Sequence, residues 1–191
     1  MNTSRLDGSS PLPDLAALEA EARRRGLLLR LQVRRPLGVL WSLRVGVARP
    51  RPAMPGPAPG PGGEGLELLG DLKGYALPLP DGLRLDTLRV AGRLQRVPDL
   101  GVAPLITAAT YAWALECTPC RLSRILAIRD EERQHRRLVR YFQRLGFTPV
   151  RELGAAVGDL PARMIWGGSG LLMQGECRTV LRRSASQLGL L

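Results

Sequence analysis

The sequence is short of metal and redox ligands, with one histidine, His135, and three cysteines among 191 residues. Its one C-x-x-C, Cys117-Thr-Pro-Cys120, has neither a second such pair nor a pair of histidines to complete a zinc or thioredoxin-like centre. Those two cysteines read as small thiols at a helix end, and no metal is expected. Lysine is almost missing as well. Lys73 is the only one, so the formal net charge of +11 rests on arginine. The planar guanidinium fork suits phosphate, and a phosphate-bearing small ligand fits this charge as well as nucleic acid does. Arg129, Arg133, Arg136, Arg137, Arg140 and Arg144 form a basic run that reads as a solvated helix face. With about one exposed aromatic beside it, base stacking has little to work with, and nucleic acid is not the expected partner.

Long apolar runs are also lacking. The first residues, M-N-T-S-R-L-D-G-S-S-P-L-P, have no apolar stretch of secretory length. The longest uncharged run, Leu100 to Leu115, falls short of the roughly 20 residues of a membrane span and contains Thr107, Thr110 and Tyr111. A soluble, cytoplasmic chain with no membrane partner is expected.

The length suits a single domain over 1–191. Its 16 prolines and 22 glycines are unevenly spread, and R-P-R-P-A-M-P-G-P-A-P-G-P-G-G-E-G, 49–65, is too poor in apolar side chains to offset its ordering entropy. It is expected to be a flexible loop, and 174–191 a flexible tail.

Around the loop the hydrophobic pattern predicts a short helix after Pro13 and Asp14, ended by Arg23 to Arg25 and Gly26. A hairpin follows, L-L-L-R-L-Q-V-R and V-L-W-S-L-R-V-G-V, then strands in E-L-L-G-D-L-K-G-Y-A and L-R-L-D-T-L-R-V joined at Pro80-Asp81-Gly82. Val102 to Glu116 is apolar on most sides and is expected to be a central helix. R-L-S-R-I-L-A-I-R reads as a buried strand, and F-T-P-V-R-E-L and A-R-M-I-W as final strands.

Between those last strands lies D-E-E-R-Q-H-R-R-L-V-R-Y-F-Q-R-L-G-F, 130–147. Asp130 is an N-cap, Glu131 and Glu132 put negative charge in the first turn, and arginines fill the later turns. Leu138, Tyr141, Phe142 and Leu145 make one apolar face, and Gly146 stands where a glycine ends a helix.

An aromatic residue followed by Q-R-L-G-F resembles the second signature motif of the GNAT superfamily of acyl-CoA-dependent N-acyltransferases. There a helix ends in Tyr-x-Lys/Arg-x-Gly-Phe, and the strands and helices around it follow the order given above. The resemblance covers roughly 66–173, and from Asp130 through W-G-G-S-G-L-L-M, Trp166 to Met173, the chain is similar to a divergent bacterial and plastid branch of that family. The resemblance implies an α/β (α+β) fold, a mixed and mainly antiparallel central sheet with flanking helices.

It also implies transfer of acetyl from acetyl-CoA to a small-molecule or protein amine. The family's other signature, Arg/Gln-x-x-Gly-x-Gly/Ala, is matched by P-D-L-G-V-A, with Gly101, Val102 and Ala103 on the positions that hold the coenzyme diphosphate. Pro98 replaces the basic or amide residue and Asp99 adds an opposing charge, which Arg93 and Arg96 can offset. Backbone N–H groups at Leu88, Arg89 and Val90 would polarise the thioester carbonyl. His135 falls where the family often has an asparagine that touches the coenzyme. Phe142 stands at the position of the family's general-acid tyrosine, with Tyr141 one residue earlier, about 100° round the helix. Tyr141 or water would serve as acid, and Asp86 or Glu116 as base. A module that binds coenzyme A or a protein without catalysis is the alternative that Phe142 and Pro98 favour.

Overall fold

The computed structural model describes residues 11–51, 65–90, 100–129 and 132–191. A helix, α1 (Leu15–Arg24), leads into four strands, β1 (Leu28–Arg34), β2 (Trp41–Pro50), β3 (Leu66–Ala76) and β4 (Leu83–Val90). Then come α2 (Val102–Cys117), β5 (Leu122–Ile128), α3 (Glu132–Leu145), β6 (Thr148–Leu153), α4 (Leu160–Trp166), β7 (Gly170–Glu176) and α5 (Cys177–Gln187). The seven strands form one mixed sheet in the order β1-β2-β3-β4-β5-β7-β6. Every neighbouring pair is antiparallel except β4 and β5.

Helices α1, α2, α3 and α5 pack together over one face of this sheet. α2 is the centre of that layer, with Leu105, Ile106, Tyr111 and Trp113 buried against Leu43, Val45, Leu72 and Leu85 of the strands. Its near-uniform burial explains why the run has no polar side. Tyr111 keeps its one polar atom satisfied through Ser123 Oγ at 2.8 Å, and burial holds its phenol well above the ordinary tyrosine range. Gly70 of β3 lets α2 sit close, since a Cβ there would stand 2.9 Å from Ile106 and 3.0 Å from the Arg89 carbonyl.

α3 stops as its sequence dictates. Gly146 adopts φ +100°, a backbone open to glycine, and the Phe147 N–H returns to the Phe142 carbonyl at 3.0 Å. Arg183 of α5 then donates to the free carbonyls of Gln143 and Arg144, at 3.1 and 3.0 Å, placing a cation at the negative helix end. The expected cap of this helix, Asp130 with Glu131, lies outside the described residues.

Three expectations need correction. A-R-M-I-W, read as a strand, lies in α4, which Pro161 opens and Gly167 at φ +74° closes; the last strand is the G-L-L-M-Q-G-E that follows. The segment 174–191, read as a tail, completes β7 and forms α5. Cys177, Val180, Leu181, Ser184 and Ala185 are three and four apart, and this stripe buries itself against α2. The 49–65 loop begins later than predicted, because Arg49 and Pro50 belong to β2, and Arg49 pairs with Glu67 at 2.7 Å. Of that loop, 52–64 lies outside the described residues. Among the described residues no helix is long and apolar enough to cross a membrane.

Candidate functional site

The register of β4 changes at one residue. Lys73 pairs with Thr87 and Gly74 with Leu85, so Asp86 is the extra residue of a β-bulge. β5 follows β4 only across Leu83–Leu85, opposite Ser123–Ile125, and beyond the bulge the two parallel strands separate. Among the described residues, the edge of β4 that faces β5 therefore carries no strand partner from Asp86 onward. α3 closes the wedge with Gln134, Leu138 and Phe142, four residues apart on one helix face, leaving a cleft of about 410 Å³. Leu88 and Arg89 line it, with Ile125 and Leu126 opposite, while Val90 at the end of the strand is exposed. An unpaired peptide edge beside apolar walls can hold a carbonyl oxygen and an alkyl chain together.

A second cavity, of about 700 Å³, opens on the sheet face that the main helical layer leaves uncovered. Gln32 and Arg34 of β1, Arg44 of β2, and Lys73 and Tyr75 of β3 line it, and Asp86 forms its border at β4. Asp86 thus fronts both cavities, because a bulged residue is turned out of the alternation that assigns its neighbours to one face.

The other candidate residues do not all gather here. Tyr141 does not line the cleft. It faces a separate groove of about 630 Å³ with Arg133, Arg137, Arg140 and Arg144. Its hydroxyl lies beside Thr107, whose own hydroxyl donates to the Ala103 carbonyl at 2.9 Å, and among the described residues it has no hydrogen-bonded partner; burial raises its pKa. His135 is turned inward: it is buried, and Nδ1 donates to the Ile128 carbonyl at 3.2 Å. It ties α3 to the end of β5 and fronts neither cavity.

Glu116 stands at the other end of α2, some 21 Å along the helix from Val102 at 1.5 Å per residue. There its Oε1 accepts the Leu15 N–H at 3.0 Å and caps α1. It cannot act as a base at the cleft.

Gly101 opens α2 at φ +70°, and the Leu105 N–H reaches its carbonyl at 2.9 Å. The space that its missing side chain leaves is taken from within. A Cβ would stand 2.6 Å from Nη1 of Arg25 and 2.9 Å from Leu188. The Arg25 guanidinium donates to the carbonyls of Leu100, at 3.3 Å, and Leu188, at 2.6 Å, so a cation already stands at the positive end of α2. Val102 packs into the core beside Gly70, and Ala103 is half-buried in the first turn. Arg93, Arg96, Pro98 and Asp99 lie outside the described residues.

Two features escaped the sequence reading. The uncovered cavity was signalled by polar residues at alternate positions, Gln32 and Arg34, then Ser42 and Arg44, which the strand period places on one face. The arginine groove needed the burial of Tyr141 to show which side of α3 forms a concave surface. Arg133, Arg137, Arg140 and Arg144 have no ion-pair partner among the described residues; on this helix only Arg136 is paired, with Glu132 at 3.6 Å. Among the described residues no group of His, Cys, Asp and Glu is placed to hold a metal ion. No protein-family model matches this chain, and no curated protein matches it.

Proposed function

We propose that the protein is an acyl-CoA-dependent N-acetyltransferase of the GNAT type, moving acetyl from acetyl-CoA to an amine. The observation that carries this reading is Asp86, a carboxylate in a β-bulge shared by the cleft and the cavity on the opposite face. An amine held in the larger cavity loses its proton to Asp86 and attacks the thioester carbon in the cleft. The carbon–sulfur bond breaks, and the coenzyme thiolate leaves and takes a proton from water. The free edge of β4 around Leu88, Arg89 and Val90 supplies N–H groups to the oxyanion, beside the apolar side chains of Leu88, Ile125 and Leu126. The four arginines along α3 offer charge to a phosphate-rich coenzyme whose other end lies in the cleft.

Phe142 gives specific support to a second reading, a module that binds the coenzyme without turning it over. It lines the cleft where the resemblance calls for a phenol. Calorimetric titration of acetyl-CoA at physiological ionic strength tests both readings, since nonspecific attraction to phosphate is then largely screened. Saturable binding is expected, weakened by Arg137→Glu combined with Arg144→Glu. Release of free thiol in the presence of an amine is then expected from the native chain and lost, by about 10² or more, in Asp86→Asn. Binding without thiol release from any amine would favour the silent module, and absence of binding would overturn both.

A further inference from the structure

The larger cavity is built on two rows that cross the sheet. Gln32, Arg44, Lys73 and Thr87 face one another in register on β1 to β4, and Arg34, Ser42, Tyr75 and Arg84 form the next row. Arg44 and Lys73 are directly opposed, an arrangement of like charges that weakens a sheet. Asp71 answers only the first of them, at 3.6 Å. Lys73 and Arg34 have no ion-pair partner among the described residues. Arg84 is held between two rings, with its guanidinium carbon 5.8 Å from the centroid of Tyr75 and 5.2 Å from that of Trp166. Cations kept together at a local cost to the sheet, on a concave face, leave a positive surface that an anionic group from outside can answer.

The charge is also polarised across the cavity. Its cations lie on β1, β2 and β3, and the one acid among its described lining residues, Asp86, lies on β4 beside the cleft. With strands about 4.8 Å apart, Lys73 and Arg44 stand roughly one and two spacings from the strand of Asp86. A simple cationic amine or a polyamine would meet repulsion at the cationic end. A molecule with an acid group there and its amine some 5–10 Å away, at Asp86, satisfies both ends. Nearby cations also ease the loss of the ammonium proton.

Resting on the transferase reading for its chemistry, we infer that this cavity takes an acceptor carrying a carboxylate or phosphate beside the amine to be acetylated. The test is done without acetyl-CoA, by calorimetric titration of the full chain. O-phosphoethanolamine and γ-aminobutyrate serve as probes, against butylamine and putrescine. Saturable binding of at least one acid-bearing probe is expected, and none of the two plain amines. Lys73→Gln should weaken the bound probe by about tenfold or more with no fall in melting temperature, and a small rise is expected because the charge opposed to Arg44 is gone. Equal binding of a plain amine, no saturable binding of either acid-bearing probe, or full affinity in Lys73→Gln overturns the inference. Acid-bearing probes that bind to a chain that ignores acetyl-CoA would uphold this site and remove the transferase reading. Acetylation of putrescine but of neither acid-bearing amine would do the reverse.

Discussion

Tyr141 and Phe142 are consecutive on α3, with ring centroids 5.5 Å apart and planes at 61°, yet they front different cavities. Phe142 lines the cleft between β4 and β5, and Tyr141 turns toward α2 and the arginine groove. The single-residue step, about 100° of helix rotation, separates the ring that lines the cleft from the phenol beside it on the helix.

On the transferase reading proposed above, replacement of Tyr141 by phenylalanine is therefore expected to leave thiol release unchanged. The hydroxyl is largely buried and has no hydrogen-bonded partner among the described residues, so removing it should not lower the unfolding free energy, and a gain of up to about 1 kcal/mol is expected. Phe142→Ala should cost about 3–5 kcal/mol, because this ring packs edge-on against Phe147 at 5.7 Å and closes the core under α3. Urea unfolding of both variants checks the contrast. A Tyr141→Phe chain that folds fully and has lost thiol release would show that the phenol reaches the cleft after all.

The contrast also shows what the residues alone could reveal. Strands with clean alternation, the apolar central helix and the glycine stop of α3 were legible, because each is set by local spacing and backbone sterics. α4 was not. Its seven residues are too few for a helical period to stand out from a strand, and its helical state follows from Pro161 and the fold-back of Asp159 onto Arg151 and the Gly154 N–H. α5 had a regular stripe, but its small members, Cys177, Ser184 and Ala185, carry weak hydrophobic signal until α2 is set against them. For the site, Asp86 was selected as a candidate by its place in the fourth strand, whereas its exposure to two cavities depends on a bulge that only strand register defines. Glu116 was chosen on sequence proximity to the same region, and helix length carried it to the far end.

Gly101 should resist substitution for reasons of packing as much as of ligand binding. At φ +70° a side chain is strained, by about 1–2 kcal/mol, and the new Cβ would also press on Arg25 and Leu188. Gly101→Ala is expected to lower the melting temperature by several degrees, and by more than Ala103→Gly does. Scanning calorimetry checks the order. Loss of coenzyme binding in a Gly101 variant would need this measurement beside it, since a shifted Arg25 would change the charge at the start of α2.

The three thiols should be told apart by a thiol reagent such as dithionitrobenzoate. Cys117 is exposed, whereas Cys120 and Cys177 are buried, and all three are free. Burial, reinforced by Cys120, pushes the Cys177 thiol up to about 12, so almost none of it is thiolate at neutral pH. Cys120 is packed against the Leu77 carbonyl, to which its sulfur lies at 3.3 Å. Rapid labelling of one thiol in the native chain, abolished by Cys117→Ser, is expected, and labelling of all three after unfolding in guanidinium. The Cys117 thiol is itself raised by burial and by Glu116, so its labelling should accelerate as the pH rises through the ordinary cysteine range.

Glu21 should make stability depend on pH in the acid range. Its carboxylate is nearly buried and accepts from Arg25 Nε at 2.6 Å and Arg24 Nε at 2.9 Å. Arg25 in turn holds the Leu100 and Leu188 carbonyls, so this carboxylate fixes the guanidinium that joins α1 to the start of α2 and the end of α5. The hydrogen bond from Arg25, then that from Arg24, hold the carboxyl below the usual glutamate range. A carboxyl whose pKa is lower in the folded than in the unfolded chain adds stability above its unfolded value, near about 4.3, and loses it as the pH falls through the folded value. Glu21→Gln should cost about 1–2 kcal/mol at neutral pH, held to that size because the Arg24 side chain is 66% exposed. The gap between native and variant chains should stay flat from about pH 8 to 6 and close below about pH 4, as read from urea midpoints across the range. A gap that widened on acidification would mean that the carboxyl is held above its ordinary value by burial and that the two arginines do not govern it.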